Sequence, residues 1–144
     1  MRAALLTTVA LVCAALSVAP AEATDSLIPN LKGEWVAEAT GIGLGDPDQG
    51  VTVDAATTPA IRKTHLVMTI DFQEGRHIAG IKRHARGQDR FVGVVRLDNR
   101  SVVGADAEGD MGFRLMDQHE MEVCYTEHSA HWAYASCEVY HRAH

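Results

Sequence analysis

Short β-rich segments separated by turn residues run through the chain from about residue 31, and no segment sustains a helical repeat of apolar side chains. The segment 66–72 shows the pattern most clearly, because every second residue is apolar and falls on one face of an extended strand. These apolar residues are Leu66, Met68, Ile70 and Phe72. The chain predicts eight strands, at residues 31–40, 66–72, 76–84, 90–97, 101–105, 112–116, 120–126 and 134–142.

Eight sequential strands joined mostly by short turns fit an all-β fold, an eight-stranded antiparallel up-and-down barrel. Closing the sheet into a barrel pairs both edges of every strand, so that no edge is left exposed. A two-sheet β-sandwich is the alternative, because counting strands does not separate the two architectures. The interior of an eight-stranded barrel is either filled by side chains or holds one small ligand.

One hairpin can be checked for internal consistency. If residues 117–119 form a turn, Leu115 lies opposite Met121. The same register places Arg114 opposite Glu122 on the other face of the hairpin. Apolar side chains then meet on one face and opposite charges on the other, so the sequence predicts this register.

The N-terminus has the pattern of a cleavable signal peptide at residues 1–23. Arg2 precedes an apolar run over residues 3–18, and Ala21-Glu22-Ala23 supplies a small-x-small cleavage pattern. The run is shorter than the roughly 20 residues that span a bilayer. We therefore expect one β-barrel domain at residues 24–144, periplasmic or secreted, with no integral membrane segment in the mature chain.

The cysteines agree with export. Cys13 lies in the predicted signal peptide, which leaves Cys124 and Cys137. An even number of cysteines in an oxidising compartment favours one disulfide bond. Their spacing is not that of a CxxC redox motif, and no further cysteines complete a thiolate zinc site.

Charge and histidine content exclude two other classes of function. The formal net charge is −6, and the sequence contains no basic stripe, so we expect no nucleic-acid partner. His128 and His131 are three residues apart, as are His141 and His144, but one pair falls in a turn and the other at the C-terminus. We therefore expect no metal site, and no motif indicates a cofactor.

The last hairpin leaves two alternatives open. Pairing Cys124 with Cys137 on the outer face turns Tyr125, Glu138 and Tyr140 toward the barrel interior. A buried carboxylate is costly unless it is paired or hydrogen-bonded. Either a bulge near Cys137 reverses the strand, or the barrel has a polar inner wall there. In the second case Tyr125, Glu138 and Tyr140 become candidates for a binding site.

Gly33-Glu34-Trp35 in the first strand, together with Arg142 in the last, resembles the lipocalin and avidin group of barrels, the calycins. In that group the Trp closes one barrel end and a late Arg stacks across its indole. The resemblance therefore implies structural roles for Gly33, Trp35 and Arg142. The C-terminal half, through residues 93–95, 121–125 and 135–137, also resembles short exported bacterial proteins without an assigned function.

A second resemblance is to periplasmic inhibitors of secreted metalloproteases. These are small eight-stranded barrels in which a short N-terminal trunk precedes a Leu-x-Gly-x-Trp motif. Here Leu31-Lys32-Gly33-Glu34-Trp35 follows residues 24–30. In those inhibitors the disulfide lies in an earlier part of the barrel, whereas here the cysteines lie in the last two strands.

The sequence predicts a non-catalytic binding protein for a small, partly apolar ligand, with the long connection at residues 45–63 as a gate. The candidate ligand-binding residues are Trp35, Met68, Phe72, Tyr125, Glu138 and Tyr140. One alternative is a protein-binding module such as a protease inhibitor, with a protein partner in place of a small molecule. The other is a small barrel isomerase or cyclase that uses Glu138. No hydrolase elbow, phosphate-binding glycine loop or metalloprotease helix is present to favour an enzyme.

Overall fold

The computed structural model describes residues 28–46, 53–54 and 56–143, so the predicted signal peptide lies outside the described residues. The described residues form eight strands and no helix. The strands are β1 (Gly33–Gly45), β2 (Ala60–Glu74), β3 (His77–His84), β4 (Gly87–Val95), β5 (Ser101–Ala105), β6 (Gly109–Leu115), β7 (Glu120–His128) and β8 (Trp132–Arg142).

Each strand pairs antiparallel with its neighbours in sequence, and β8 pairs with β1 to close the barrel. At this closing pair, Trp35 lies opposite Arg142 and Gly45 lies opposite Trp132. The predicted up-and-down barrel is thus confirmed, and the two-sheet alternative is excluded.

The first two strands are longer than the sequence pattern predicts. β1 continues to Gly45 and β2 already begins at Ala60, so the connection between them covers residues 46–59 instead of 45–63. Glycine is depleted in strands, so the presence of Gly41 and Gly43 led the sequence prediction to end β1 at residue 40. Residues 47–52 and 55 lie outside the described part of the chain, and the predicted gate falls largely on them.

The register of the final hairpins matches the sequence prediction. Leu115 pairs with Met121, and the β7–β8 pairing continues without a shift through Cys124 opposite Cys137. These cysteines form a disulfide whose Cα atoms are 4.0 Å apart. Because no bulge interrupts this hairpin, Glu138 faces inward and the barrel has a polar inner wall.

The prediction that Phe72 shares the inward apolar face of β2 is wrong. A bulge between Ile70 and Phe72 shifts the pairing with β3 and leaves Phe72 46% exposed on the outside. The strands approach closely at this point, since a Cβ on Gly80 would lie 2.2 Å from the Thr69 carbonyl oxygen. A bulge inserts one extra residue and so reverses which face the following side chains occupy.

One half of the barrel is packed and closed. Trp35 is fully buried there, and its indole N–H donates to the Leu31 carbonyl oxygen at 3.0 Å. The Arg142 guanidinium lies 4.2 Å from the indole ring centre. The other buried core side chains include Met68, Ile70, Ile78, Phe91, Val95, Val102, Met111, Phe113, Met121 and Tyr140.

The segment before β1 crosses this closed end. Gln73 accepts from the backbone N–H of Leu31 at 2.8 Å and donates to the carbonyl oxygen of Pro29 at 2.8 Å. Arg142 donates to the carbonyl oxygens of Asn30 and Lys32 at 2.9 and 2.6 Å. The described part of the predicted trunk is therefore tied to the barrel.

Candidate ligand-binding cavity

An open-ended cavity of about 470 Å³ occupies the other half of the barrel. It is lined by Asp46 after β1, by the first half of β2, and by the strand ends and turns that lie at the same rim. Leu66, Val123 and Tyr140 contribute apolar surface to it, while Ser136 and Glu138 contribute polar groups. This volume lies within the range of small-molecule sites, roughly 300–1,000 Å³.

The inward side chains of β1 leave room beside the cavity for side chains from β8. They decrease in size along the strand, from Trp35 through Ala37 and Ala39 to Gly41 and Gly43. In a barrel only alternate residues point inward, so small residues in that row leave interior space for side chains of a neighbouring strand.

The two glycines also make room for aromatic rings from β8. A Cβ on Gly41 would lie 2.2 Å from the hydroxyl oxygen of Tyr134. A Cβ on Gly43 would lie 2.8 Å from the ring of Trp132. Any larger residue at these positions would displace the rings that form the cavity rim.

Trp132 and Tyr134 stack at the rim, with ring centres 5.8 Å apart and planes inclined by 6°. The guanidinium groups of Arg62 and Arg86 lie 4.8 and 5.8 Å from the centre of the Trp132 ring. Arg86 also pairs with Glu127 at 3.7 Å. Cation–π attraction of this kind holds the indole in place, and only 4% of Trp132 is exposed.

Lys82, Asp106 and Tyr125 form a buried polar network on one wall. The Lys82 ammonium lies 2.6 Å from Asp106 Oδ2 and 3.6 Å from the centre of the Tyr125 ring. The Tyr125 hydroxyl donates to Asp106 Oδ1 at 3.1 Å. The same carboxylate accepts the backbone N–H groups of Glu108 and Gly109. Asp106 therefore has its hydrogen bonds satisfied although its side chain is fully buried.

The pKa values of this network follow from its contacts. Burial alone would raise the pKa of Asp106, but the hydrogen bond and charge of Lys82 and the two backbone N–H groups together lower it. Burial raises the pKa of Tyr125, and the negative charge of Asp106 raises it further. The network thus holds an anionic Asp106 beside a neutral phenol.

Glu138 lies deeper on the polar wall and is only 8% exposed. Its Oε1 has no hydrogen-bond partner among the described residues. Burial raises the pKa of this carboxyl, and the nearby Ser136 hydroxyl opposes part of that effect. Burial raises the pKa of Tyr140, and the negative charge of Glu138 raises it further. An unsatisfied buried carboxyl can donate a hydrogen bond when protonated or pair with a cation when ionised.

The structure brings three of the predicted ligand-binding residues together and separates the others. Tyr125, Glu138 and Tyr140 all line the cavity. Trp35 and Met68 do not, because they belong to the packed core in the closed half. The remaining candidate, Phe72, lies on the outer surface because of the bulge in β2.

The residues predicted to be structural lie at the closed end. Gly33 has a positive φ of 130°, and a Cβ there would lie 3.2 Å from Arg142 Nη1. The glycine therefore leaves space for the guanidinium that covers Trp35. This is the arrangement that the calycin resemblance implies.

Sequence reasoning missed several cavity residues. Lys82 and Asp106 lie 24 positions apart and meet only through the barrel pairing. Trp132 and Tyr134 carried a usable signal, because they continue the inward row of β8 beyond Ser136. Gly41-x-Gly43 carried another, since glycines at alternate positions predict space on one face of a strand.

No family model matches the chain, and no curated protein matches it. Among the described residues, no helix is long and apolar enough to cross a membrane. Within the same residues, no three His, Cys, Asp or Glu side chains come together as a metal site would require.

Proposed function

We propose that this protein is exported and binds a small, partly apolar ligand in the open half of its barrel without catalysis. The observation that carries the proposal is the open-ended cavity of about 470 Å³. Its wall combines apolar surface from Leu66, Val123 and Tyr140 with polar and charged side chains, a mixture that suits a partly apolar ligand.

Export to the periplasm or beyond the cell is supported by two independent features. The Cys124–Cys137 disulfide is stable in an oxidising compartment and rare in the cytosol. Residues 1–23 carry the charge and hydropathy pattern of a signal peptide. The contact between Trp35 and Arg142 at the closed end supports the further proposal of a calycin-like relationship.

A small barrel isomerase or cyclase is the second candidate. A buried carboxyl with a raised pKa inside a cavity is suited to general acid–base catalysis, and Glu138 has both properties. No observation specifically favours the protease-inhibitor alternative: the end of the predicted trunk, Pro29 and Asn30, is hydrogen-bonded to Gln73 and Arg142, and residues 24–27 lie outside the described part of the chain.

Native mass spectrometry of the protein purified from its own secretory compartment tests the binding proposal. We expect an added mass that disappears on denaturation. Val123→Phe places a larger ring among the cavity-lining side chains and should lower the fraction of protein that carries the added mass. Val139→Phe is the matched control, because Val139 faces outward on the neighbouring strand and is 40% exposed.

A wild-type mass equal to that of the disulfide-bonded chain alone would contradict the binding proposal. An added mass that Val123→Phe and Val139→Phe retain equally would place the ligand outside the cavity. Conversion of the released compound into a different one by fresh wild-type protein, and not by Glu138→Gln, would instead support the isomerase or cyclase.

A further inference from the structure

Three acidic groups in or beside the cavity already have a basic partner. Asp106 pairs with Lys82 at 2.6 Å, and Asp89 pairs with His84 at 2.8 Å. Glu127 at the rim pairs with Arg86 at 3.7 Å. An acid that already has such a partner gains less from the charge of a ligand.

Glu138 differs from these acids. Within the described part of the chain, no Lys, Arg or His nitrogen lies within 4.0 Å of its carboxylate. It is nevertheless more than nine-tenths buried, and its Oε1 has no hydrogen-bond partner among those residues. A buried carboxylate without a cationic partner is costly, and a cation brought by a ligand would relieve that cost.

The surroundings of Glu138 also suit an ammonium group. Tyr134 and Tyr140 lie on the same inward row of β8, on either side of Glu138, and both line the cavity. Aromatic rings attract cations, and a carboxylate accepts a charge-assisted hydrogen bond from an amine. Leu66 and Val123 provide apolar surface for the body of the same molecule.

Lys82 does not make the inner cavity attractive to an anion. Its ammonium is already neutralised by Asp106 and lies against the Tyr125 ring. An ionised Glu138 therefore leaves the inner wall with a net negative charge, which favours a cationic group over an anionic one.

We propose that the ligand is a small organic amine whose ammonium group binds Glu138, with its apolar body between Leu66, Val123 and Tyr140. This inference rests on the proposed function, since it assigns the chemical class of molecule held in the same cavity.

Calorimetric titration of the full, disulfide-bonded protein with paired probes tests the inference. The probes are 2-phenylethylamine, tryptamine and n-hexylamine, each compared with the alcohol of the same carbon skeleton. We expect at least one amine to bind about tenfold more tightly than its alcohol, since a charge-assisted contact replaces a neutral one.

Two variants locate the contact. Glu138→Gln keeps the shape of the side chain and should remove the preference for the amine, leaving similar affinities for amine and alcohol. Glu122→Gln is the matched control, because it makes the same change at an exposed position of β7, opposite Val139 on β8. It should leave the amine preference within about twofold of wild type. Circular dichroism verifies that both variants are folded.

Equal affinities of amine and alcohol for the wild type would overturn the inference, as would equal losses in Glu138→Gln and Glu122→Gln. If no amine binds but the purified protein carries another molecule, the inference fails while the proposed function stands. If no amine binds and no added mass is found, both fail.

Discussion

Replacing Arg142 with alanine should destabilise the barrel by about 3–4 kcal/mol. The guanidinium donates three hydrogen bonds, to the carbonyl oxygens of Lys32, Asn30 and Gln118 at 2.6, 2.9 and 3.1 Å. Each contributes about 1 kcal/mol, because these contacts are solvent-accessible and water replaces much of what is lost. The cation–π contact with Trp35 adds roughly 0.5–1 kcal/mol.

Arg142→Lys separates these contributions. A lysine keeps the positive charge over the indole but reaches only one of the three carbonyl groups, so we expect about half of the alanine effect. Urea unfolding followed by far-ultraviolet circular dichroism measures both variants, at constant m-value. A double-mutant cycle with Trp35→Phe should give a coupling of about 1 kcal/mol between the two side chains.

Arg90→Ala is the control for removing an exposed arginine. Its guanidinium lies 3.6 Å from Asp71 and is 66% exposed, so the loss should stay below about 0.5 kcal/mol. If Arg142→Ala is no more destabilising than Arg90→Ala, the reasoning about the closed end is refuted.

Three further predictions concern the disulfide and the inner wall. Changing both Cys124 and Cys137 to Ser should lower the free energy of unfolding by about 3 kcal/mol, since the bond closes a loop of 13 positions; a loss below about 1 kcal/mol in urea titrations would speak against it. Asp106→Asn leaves the Lys82 ammonium buried without its anion and should cost about 3 kcal/mol in the same assay, whereas Lys82→Met/Asp106→Asn should recover much of that loss. The folded-state pKa of Glu138 is raised above its ordinary 4.5 by burial, so the stability that it contributes in protonated form is lost as the pH rises through the folded pKa. Glu138→Gln should therefore gain in melting temperature over wild type near pH 8 and lose that gain below about pH 4, and parallel curves would argue against a perturbed carboxyl.

Local pattern was sufficient to predict most of the barrel. Alternating apolar residues and short turns define eight strands, and the side chains of the β6–β7 hairpin are sufficient by themselves to determine its register. The bulge that turns Phe72 outward was not predictable, because it depends on how β2 meets Gly80 of the neighbouring strand. The extension of β1 through Gly41 and Gly43 likewise depends on rings that come from β8.

The cavity was predictable only where a single hairpin determines it. Tyr125, Glu138 and Tyr140 followed from one assumption, that the two cysteines face each other. Lys82 and Asp106 lie on different elements, and nothing local in either segment indicates that they meet. Composition and periodicity report which side chains face inward, but closure of the sheet decides which of them become neighbours.

The pairing of β1 with β8 also has a consequence for the order of folding. Every other pair joins strands that follow each other along the chain, whereas this seam joins Trp35 to Arg142 from opposite ends of the domain. Bringing such distant partners together costs more loop-closure entropy than forming any of the hairpins. We therefore expect the hairpins to form first and the seam to close last. Until it closes, β1 and β8 both present unpaired edges that can associate with other chains. Arg142, which ties Trp35 and the preceding segment to β8, therefore also limits how often the closed barrel reopens and exposes these edges.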